Sequence, residues 1–160
     1  MDVDYRGDHA VAGCVVFAGW ADGVAAAEHT VRVAPVAAYV PGQFYLRELP
    51  CVVEVLRLVR DPLEVVVIDG YVWLDGKGAP GLGARLFDAL GGKVAVVGVA
   101  KTRFATAVAE EVRRPGSVKP LFVTAAGIEA RVAAGLVAGM HGGHRVPTLL
   151  KRVDGLCRGG

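Results

Sequence analysis

The run LEVVVIDG, residues 63–70, decides the fold. Val65, Val66, Val67 and Ile68 follow one another without a polar residue, so both faces of the strand they form are apolar. That is the pattern of a strand buried inside a parallel sheet. The run stops at Asp69-Gly70. In open α/β sheets ligands bind outside the carboxyl ends of strands, which puts Asp69 where function is expected. A carboxylate before glycine also serves as an ordinary turn-former, and from the residues alone both readings stand.

Downstream, PGLGARLFDALGG (80–92) reads as a short helix ended by Gly91, and KVAVVGVAK (93–101) as a second buried strand. Strand, helix, strand is a βαβ unit. AEEVRRPGSVKPLFVTAAG (109–127) has the form of a hairpin around Pro115-Gly116, and GIEARVAAGLVAGM (127–140) that of a helix. PTLLKRVDGLCR (147–158) supplies a last amphipathic helix, its proline at the start and its basic residues towards the end. Upstream, HAVAGCVVF (9–17) and GVAAAEHTVRVAP (23–35) read as two antiparallel strands joined by a turn. YLRELPCVVEVLRLVRD repeats apolar residues at helical spacing, with Pro50 expected in the first turn, where a missing N–H costs little. The sum is one α/β domain over residues 1–160: a mixed sheet with antiparallel first strands, parallel later strands and flanking helices. The glycines of GLG (81–83) lack the third member of a dinucleotide fingerprint and the acid that should follow it.

Composition narrows the functional classes. Apolar residues make up 53% of the 160, yet glycines and charges interrupt every run short of the roughly 18 apolar residues a membrane span needs. Asp2 and Asp4 give the start no basic region of the kind a signal peptide carries, which points to the cytosol. Cys14, Cys51 and Cys157 have no ligand spacing, and buried free thiols are expected. The net charge of +2 hides an asymmetry: residues 1–100 carry eight Lys/Arg against twelve Asp/Glu, and residues 101–160 carry ten against four. Such a chain suits a site that gathers carboxylates at one place and surrounds them with phosphate-binding charge.

The carboxylates that converge are the question. Alternation in MDVDY puts Asp2 and Asp4 on one face. If this segment lies beside the 63–69 strand, Asp2 meets Asp69. Two such acids repel unless a cation neutralises them, and hard oxygen ligands suit Mg²⁺ or Mn²⁺. In AYVPGQFYLRELP (38–50), Glu48 opens a helix after a Pro-Gly turn and is positioned to be the third. Divalent ions held by a few carboxylates are a common means of phosphodiester hydrolysis. His9 and His29 fall in strand or turn segments, and His141 and His144 in a glycine-rich link.

Several stretches together resemble the endonuclease V family, which nicks nucleic acid near deaminated adenine (inosine). DVDYRGDHAVAGCVVF is similar to the family's opening D-V-(S/G)-F strand and its partner. YVPGQFYLRE is similar to Y-(I/V)-P-G-(F/Y)-L-x-F-R-E, VVVIDG to (V/L)-x-V-D-G, VGVAK to (V/I)-G-V-A-K, and KPLFVTAAG to N-P-L-F-(I/V)-x-x-G. They run in the family's order along almost the whole chain.

The resemblance implies an RNase H-like fold and Mg²⁺-dependent (or Mn²⁺-dependent) hydrolysis of a phosphodiester 3′ of inosine in DNA or RNA. It implies a repair enzyme with nucleic acid as partner, no membrane, and a monomer as the default. By position Asp2, Glu48 and Asp69 become the catalytic and metal-holding carboxylates. Tyr39, Val40, Pro41 and Gly42 become the wedge that parts the bases, with Gly70 and Lys101 beside the substrate. The chain also departs from the pattern. No histidine follows V-D-G, and Gly127 stands where the family's later histidine is expected; His141 or His144 substitutes only if its loop folds back to the site. The chain begins at the catalytic strand, where fraying would make Asp2 the least secure ligand. A binding module that has lost turnover, or an RNase H-like nuclease with another substrate, are the alternative readings.

Overall fold

The computed structural model describes residues 1–159. In chain order the elements are β1 (Asp2–Arg6), β2 (His9–Val16), β3 (Ala27–Val33), α1 (Tyr45–Leu56), β4 (Val65–Asp69), α2 (Leu82–Ala89), β5 (Ala95–Ala100), β6 (Glu110–Val112), β7 (Leu121–Ala126), α3 (Ala130–Ala138) and α4 (Thr148–Cys157). The expected mixed α/β architecture is present. β1, β2 and β3 form an antiparallel meander, and a second sheet runs β4-β5-β7-β6. The Met1 ammonium donates to the Val67 carbonyl at 2.8 Å, tying the start of β1 to β4. Parallel pairing is narrower than expected: among the described residues only β4 and β5 run parallel. The hairpin around Pro115-Gly116 reverses the chain, so β6 and β7 pair antiparallel, and β7 returns antiparallel alongside β5.

β4 is apolar on both faces for the reason its sequence announces. Val66 and Ile68 join a core with Val52 and Val55 of α1 and Leu86 of α2. Val67 points the other way, into a core with Val97 and Val99 of β5, Val123 of β7, and Ala133 and Val137 of α3. α4 covers β2 through Leu149 and Val153, which pack on Val15. All three cysteines are buried free thiols. Among the described residues no helix is long and apolar enough to cross a membrane.

Pro50 lies inside α1, not in its first turn, because the helix already begins at Tyr45. Proline there removes the N–H that would bond to the Leu46 carbonyl. The ring is on the exposed side, so the buried stripe of Glu48, Cys51, Val52, Val55 and Leu56 is unbroken.

The glycine of VGVAK has a steric explanation. The loop after Asp69 crosses β5 at Gly98: a Cβ there would sit 2.6 Å from the Gly70 carbonyl oxygen and 3.0 Å from the Val72 nitrogen. Thr124 Oγ1 accepts from that same Val72 N–H at 2.8 Å, so the loop has no room to retreat. Gly98→Ala is therefore expected to destabilise the fold by about 1–3 kcal/mol through overpacking. Urea denaturation measures this, and a change within about 0.5 kcal/mol, the range of unremarkable surface substitutions, would contradict the crossing.

Candidate active site

Three elements deliver one acid each to the carboxyl edge of β4. Asp69 is the last residue of β4, and Asp2 the first of β1. Glu48 lies in the first turn of α1, on the stripe that faces the core, and is only 9% exposed. Met1 is buried and its ammonium is bonded to the Val67 carbonyl of β4. That contact carries Asp2 to the end of β4.

The acids sense one another. The Glu48 carboxyl is pushed up to about 8, first by burial and then by the charges of Asp2 and Asp69. Its carboxylate has no hydrogen-bond partner among the described residues. Asp2 is also raised: burial is the main cause, and Asp69 and a hydrogen bond with Asp154 add to it, against a lowering bond from the Val3 N–H at 2.9 Å. Lys101, one residue beyond β5, donates to Asp69 Oδ2 at 2.7 Å. Burial pulls its ammonium down, but the bond to Asp69 and the charges of Asp69, Asp2 and Asp154 together raise it. Asp2, Asp69 and Lys101 line one small crevice with Met1, Val146 and Leu150. A separate cavity of about 380 Å³ lies between β2, the 61–67 segment and α4, and is lined mainly by apolar residues; none of the converging acids opens onto it.

Asp154 is the site residue that the sequence reading missed. It sits on α4, far from any motif, and only the packing of α4 against β1 and β2 brings it to Asp2. Asp4, which alternation had put on Asp2's face, is instead paired with Arg6 at 2.8 Å. The histidine question resolves by topology. β7 runs antiparallel to β5, so Gly127 lies beside Ala95 and Phe87 at the start of β5, the opposite end from Lys101. A side chain at 127 faces away from the acids whatever its type. His141 is held by Thr148, Nδ1 to Oγ1 at 2.9 Å, and packs over Gly23; neither it nor His144 lines the crevice.

The segment before α1 is a built turn. Gln43 N–H donates to the Val40 carbonyl at 3.0 Å, and Gly42 has φ +75°. Proline at the second position and a left-handed glycine at the third make a type II turn. No atom lies within 4 Å of a Cβ at Gly42, so the backbone angle, not space, requires glycine. The turn leaves Tyr39 60% and Val40 39% exposed. The Tyr39 ring leans edge-on against Phe44, Phe44 against Tyr5, and Arg47 lies 4.0 Å over Tyr5. Phe44 thus supports the turn from behind, while Tyr45 is occupied by Arg85 at 3.5 Å. On the far side of Asp69, Tyr71 Oη donates to the Thr102 carbonyl and accepts from the Phe104 N–H, leaving the Phe104 ring 46% exposed.

The donor types fit a hard divalent cation: buried or half-buried carboxylates, one without a hydrogen-bond partner, held together against their own repulsion. Among the described residues, however, no three His, Cys, Asp or Glu side chains are spaced for a common ion. Protonation of Glu48 and the ammonium of Lys101 balance the cluster in this arrangement.

A mixed α/β fold with acids gathered at the carboxyl end of a buried strand belongs to a class of domains in which ligands bind in the crevice beyond strand ends. Within that class, the model of the Endonuclease V family matches residues 1–147, and the chain belongs to this family. Among solved structures it is similar to the Endonuclease V of Streptomyces avermitilis, 27% identical, with a TM-score of 0.79 over 98% of this chain and 78% of that one. It shares its fold with the catalytic domain of human Endonuclease V at 20% identity, TM-score 0.78, covering 99% and 80%. It does so also with Ciona intestinalis Endonuclease V, solved in complex with a 24mer DNA containing an inosine followed by a ribo-adenosine, at 19% identity, TM-score 0.83, covering 99% and 83%. No curated protein sequence matches the chain.

Proposed function

We propose that the protein is a divalent-cation-dependent endonuclease that hydrolyses a phosphodiester 3′ of inosine in a nucleic acid strand and so serves repair. The observation that carries this reading is the convergence of Asp2, Glu48 and Asp69 from β1, α1 and β4, close enough that two of them help to push the third up to about 8. The inosine-containing DNA bound by the Ciona relative supports the substrate class.

Asp2, Asp69 and Glu48 are the residues that would hold Mg²⁺ or Mn²⁺, with Asp154 behind Asp2. Bound there, the ion supplies Lewis-acid stabilisation of charge on the phosphoryl group. Glu48 holds a proton at neutral pH and is the group whose charge state changes when positive charge enters the site. Lys101 presents its ammonium to a phosphate at the edge of the crevice. Gly70, with φ +130°, lets the backbone past Asp69 turn away and keeps that edge open. Tyr39 and Pro41, rigid on their turn, fill the gap left by an extruded base, a step that costs least where pairing is already weak.

Purified protein with Mg²⁺ or Mn²⁺ and an equimolar mixture of inosine, uracil and undamaged strands tests the substrate. Preferential nicking of the inosine strand is expected. Equal nicking of all three would replace this reading with a nuclease of another specificity. The spacing of the acids favours a second reading, a binding module without turnover; it prevails if folded protein binds inosine strands but cuts none under any divalent ion. The wedge is tested separately. Tyr39→Ala is expected to slow cleavage of inosine in a duplex by about tenfold, the effect of roughly 1.4 kcal/mol, and to leave a single strand almost unaffected. Equal slowing on both would remove the wedge role.

A further inference from the structure

We propose that Arg145 is a positioning residue for Lys101 and that the buried Arg114 holds Arg145 in place, so that two guanidiniums outside the acid cluster set the ammonium facing Asp69. The catalytic part of this inference rests on the nuclease reading above.

The geometry begins where the central ladder opens. The last pair between β5 and β7 is Ala100 with Phe122, and the chain ends of both strands then diverge. Lys101 and Pro120 leave carbonyls there with no strand partner, and Pro120 has no N–H of its own to offer. Arg145 Nη2 donates to both: to the Lys101 carbonyl, and to the Pro120 carbonyl at 2.7 Å. One planar group thus closes the open end of the ladder and fixes the backbone from which the Lys101 side chain reaches Asp69 Oδ2. A guanidinium suits this task because its donors are arranged in a rigid plane.

Arg145 comes from the link between α3 and α4, which has no ladder of its own and contains Gly142 and Gly143. Its order derives from Arg114, only 4% exposed. Arg114 Nη1 donates to the carbonyls of Val137 and Ala138 at 3.0 and 2.9 Å, capping the end of α3. Nη2 reaches Gly142 at 2.8 Å and His141 at 3.4 Å, and Nε reaches His144 at 3.1 Å. Helix ends leave such carbonyls unpaired, and a buried guanidinium satisfies several at once. The residue after His144 is Arg145, so Arg114 fixes the point from which Arg145 starts. The same link leads into α4 and Asp154.

A residue that acts through Lys101 loses its effect when Lys101 is gone, whereas a merely structural residue does not. Arg145→Met is expected to lower kcat on an inosine strand about 10- to 100-fold, the scale of a small misplacement in a reacting site, and Arg145→Lys to recover part of it. In a Lys101→Ala background, Arg145→Met is expected to change kcat by less than about twofold. Effects that multiply in the double variant would overturn the proposal. A second readout needs no turnover: the ¹⁵N ammonium resonance of Lys101, assigned with Lys101→Arg. It is expected to be observable in the wild type, slowed in exchange by its bond to Asp69, and lost in Arg145→Met. An unchanged resonance would overturn the positioning role. Should the wild type cleave nothing, the nuclease reading fails while this arm still decides the proposal. Should Arg145→Met fail to fold, Arg145→Lys carries both readouts, with a weakened Lys101 resonance expected and an unaltered one contradictory.

Discussion

Replacing Asp69 by asparagine is expected to reduce kcat on an inosine strand by on the order of 10³-fold, the scale at which loss of one charge-stabilising group acts. The substitution preserves shape at the end of β4, so the fold is expected to survive. Asp69 is 39% exposed at its side chain and its only ion-pair partner among the described residues is Lys101. An exposed pair of this kind contributes little to stability. Its loss instead removes a carboxylate from the proposed ion site and frees the Lys101 ammonium. Binding of inosine strands is expected to persist, because Tyr39, Pro41 and the freed lysine remain. Single-turnover cleavage and a binding titration on the same preparation separate the two effects. Loss of binding in parallel with cleavage would show that Asp69 supports the fold or the strand, not the chemistry.

Glu48→Gln is the second large effect, and its sign depends on pH. The Glu48 carboxyl is raised from 4.5 to about 8, first by burial and then by Asp2 and Asp69. In the unfolded chain it titrates near its ordinary value. The folded protein therefore holds a proton there that the unfolded chain has released, and this contributes stability in full below about 4.5. That contribution declines as pH rises and is gone once pH passes about 8. At pH 9 the wild type buries a charged, unpartnered carboxylate, whereas glutamine carries no charge at any pH. Glu48→Gln is therefore expected to be more stable than the wild type at pH 9, by on the order of 3 kcal/mol, and nearly equal to it at pH 4.5. Cleavage is expected to fall below detection at both. Urea melts at the two pH values measure this. A variant less stable than the wild type at pH 9 would mean that Glu48 has a partner and is not waiting for positive charge.

Most of the fold and part of the site were legible in the residues, and the reasons are particular. The unbroken apolar run of β4 reports burial on both faces wherever it occurs, so this buried strand and the place of Asp69 at its end followed directly. Glu48 was readable as an acid at a helix start after the Pro-Gly turn, but its burial on one stripe with Cys51, Val52 and Val55 appears only in the folded helix. β7 was harder. Its apolar run has no direction written in it, and only the hairpin before it shows that it returns antiparallel to β5. That direction decides the histidine question, since it puts Gly127 at the wrong end of the sheet. Asp154 was illegible for a different reason. It is one acid in an amphipathic helix, paired with Arg158 four residues on, and nothing local distinguishes it from a solvated surface charge. Only tertiary packing brings it to Asp2. The Arg114–Arg145 arrangement was hidden in the same way, because its partners are backbone carbonyls and any sequence supplies those.

The turn at residues 40–43 shows how a motif and its physics meet. Pro41 fixes one backbone angle, Gly42 supplies the positive one, and Phe44 braces the ring of Tyr39.

The proposed task of the acids at the end of β4 is to cut a strand at inosine with the help of a divalent ion. An end-labelled strand bearing one inosine, incubated with wild-type protein and with Asp69→Asn, with Mn²⁺ or with a chelator, tests it most directly. A single product is expected, cut 3′ of the inosine, formed only by the wild type and only with the ion. A product of equal yield from Asp69→Asn, or one that persists in the chelator, would contradict it.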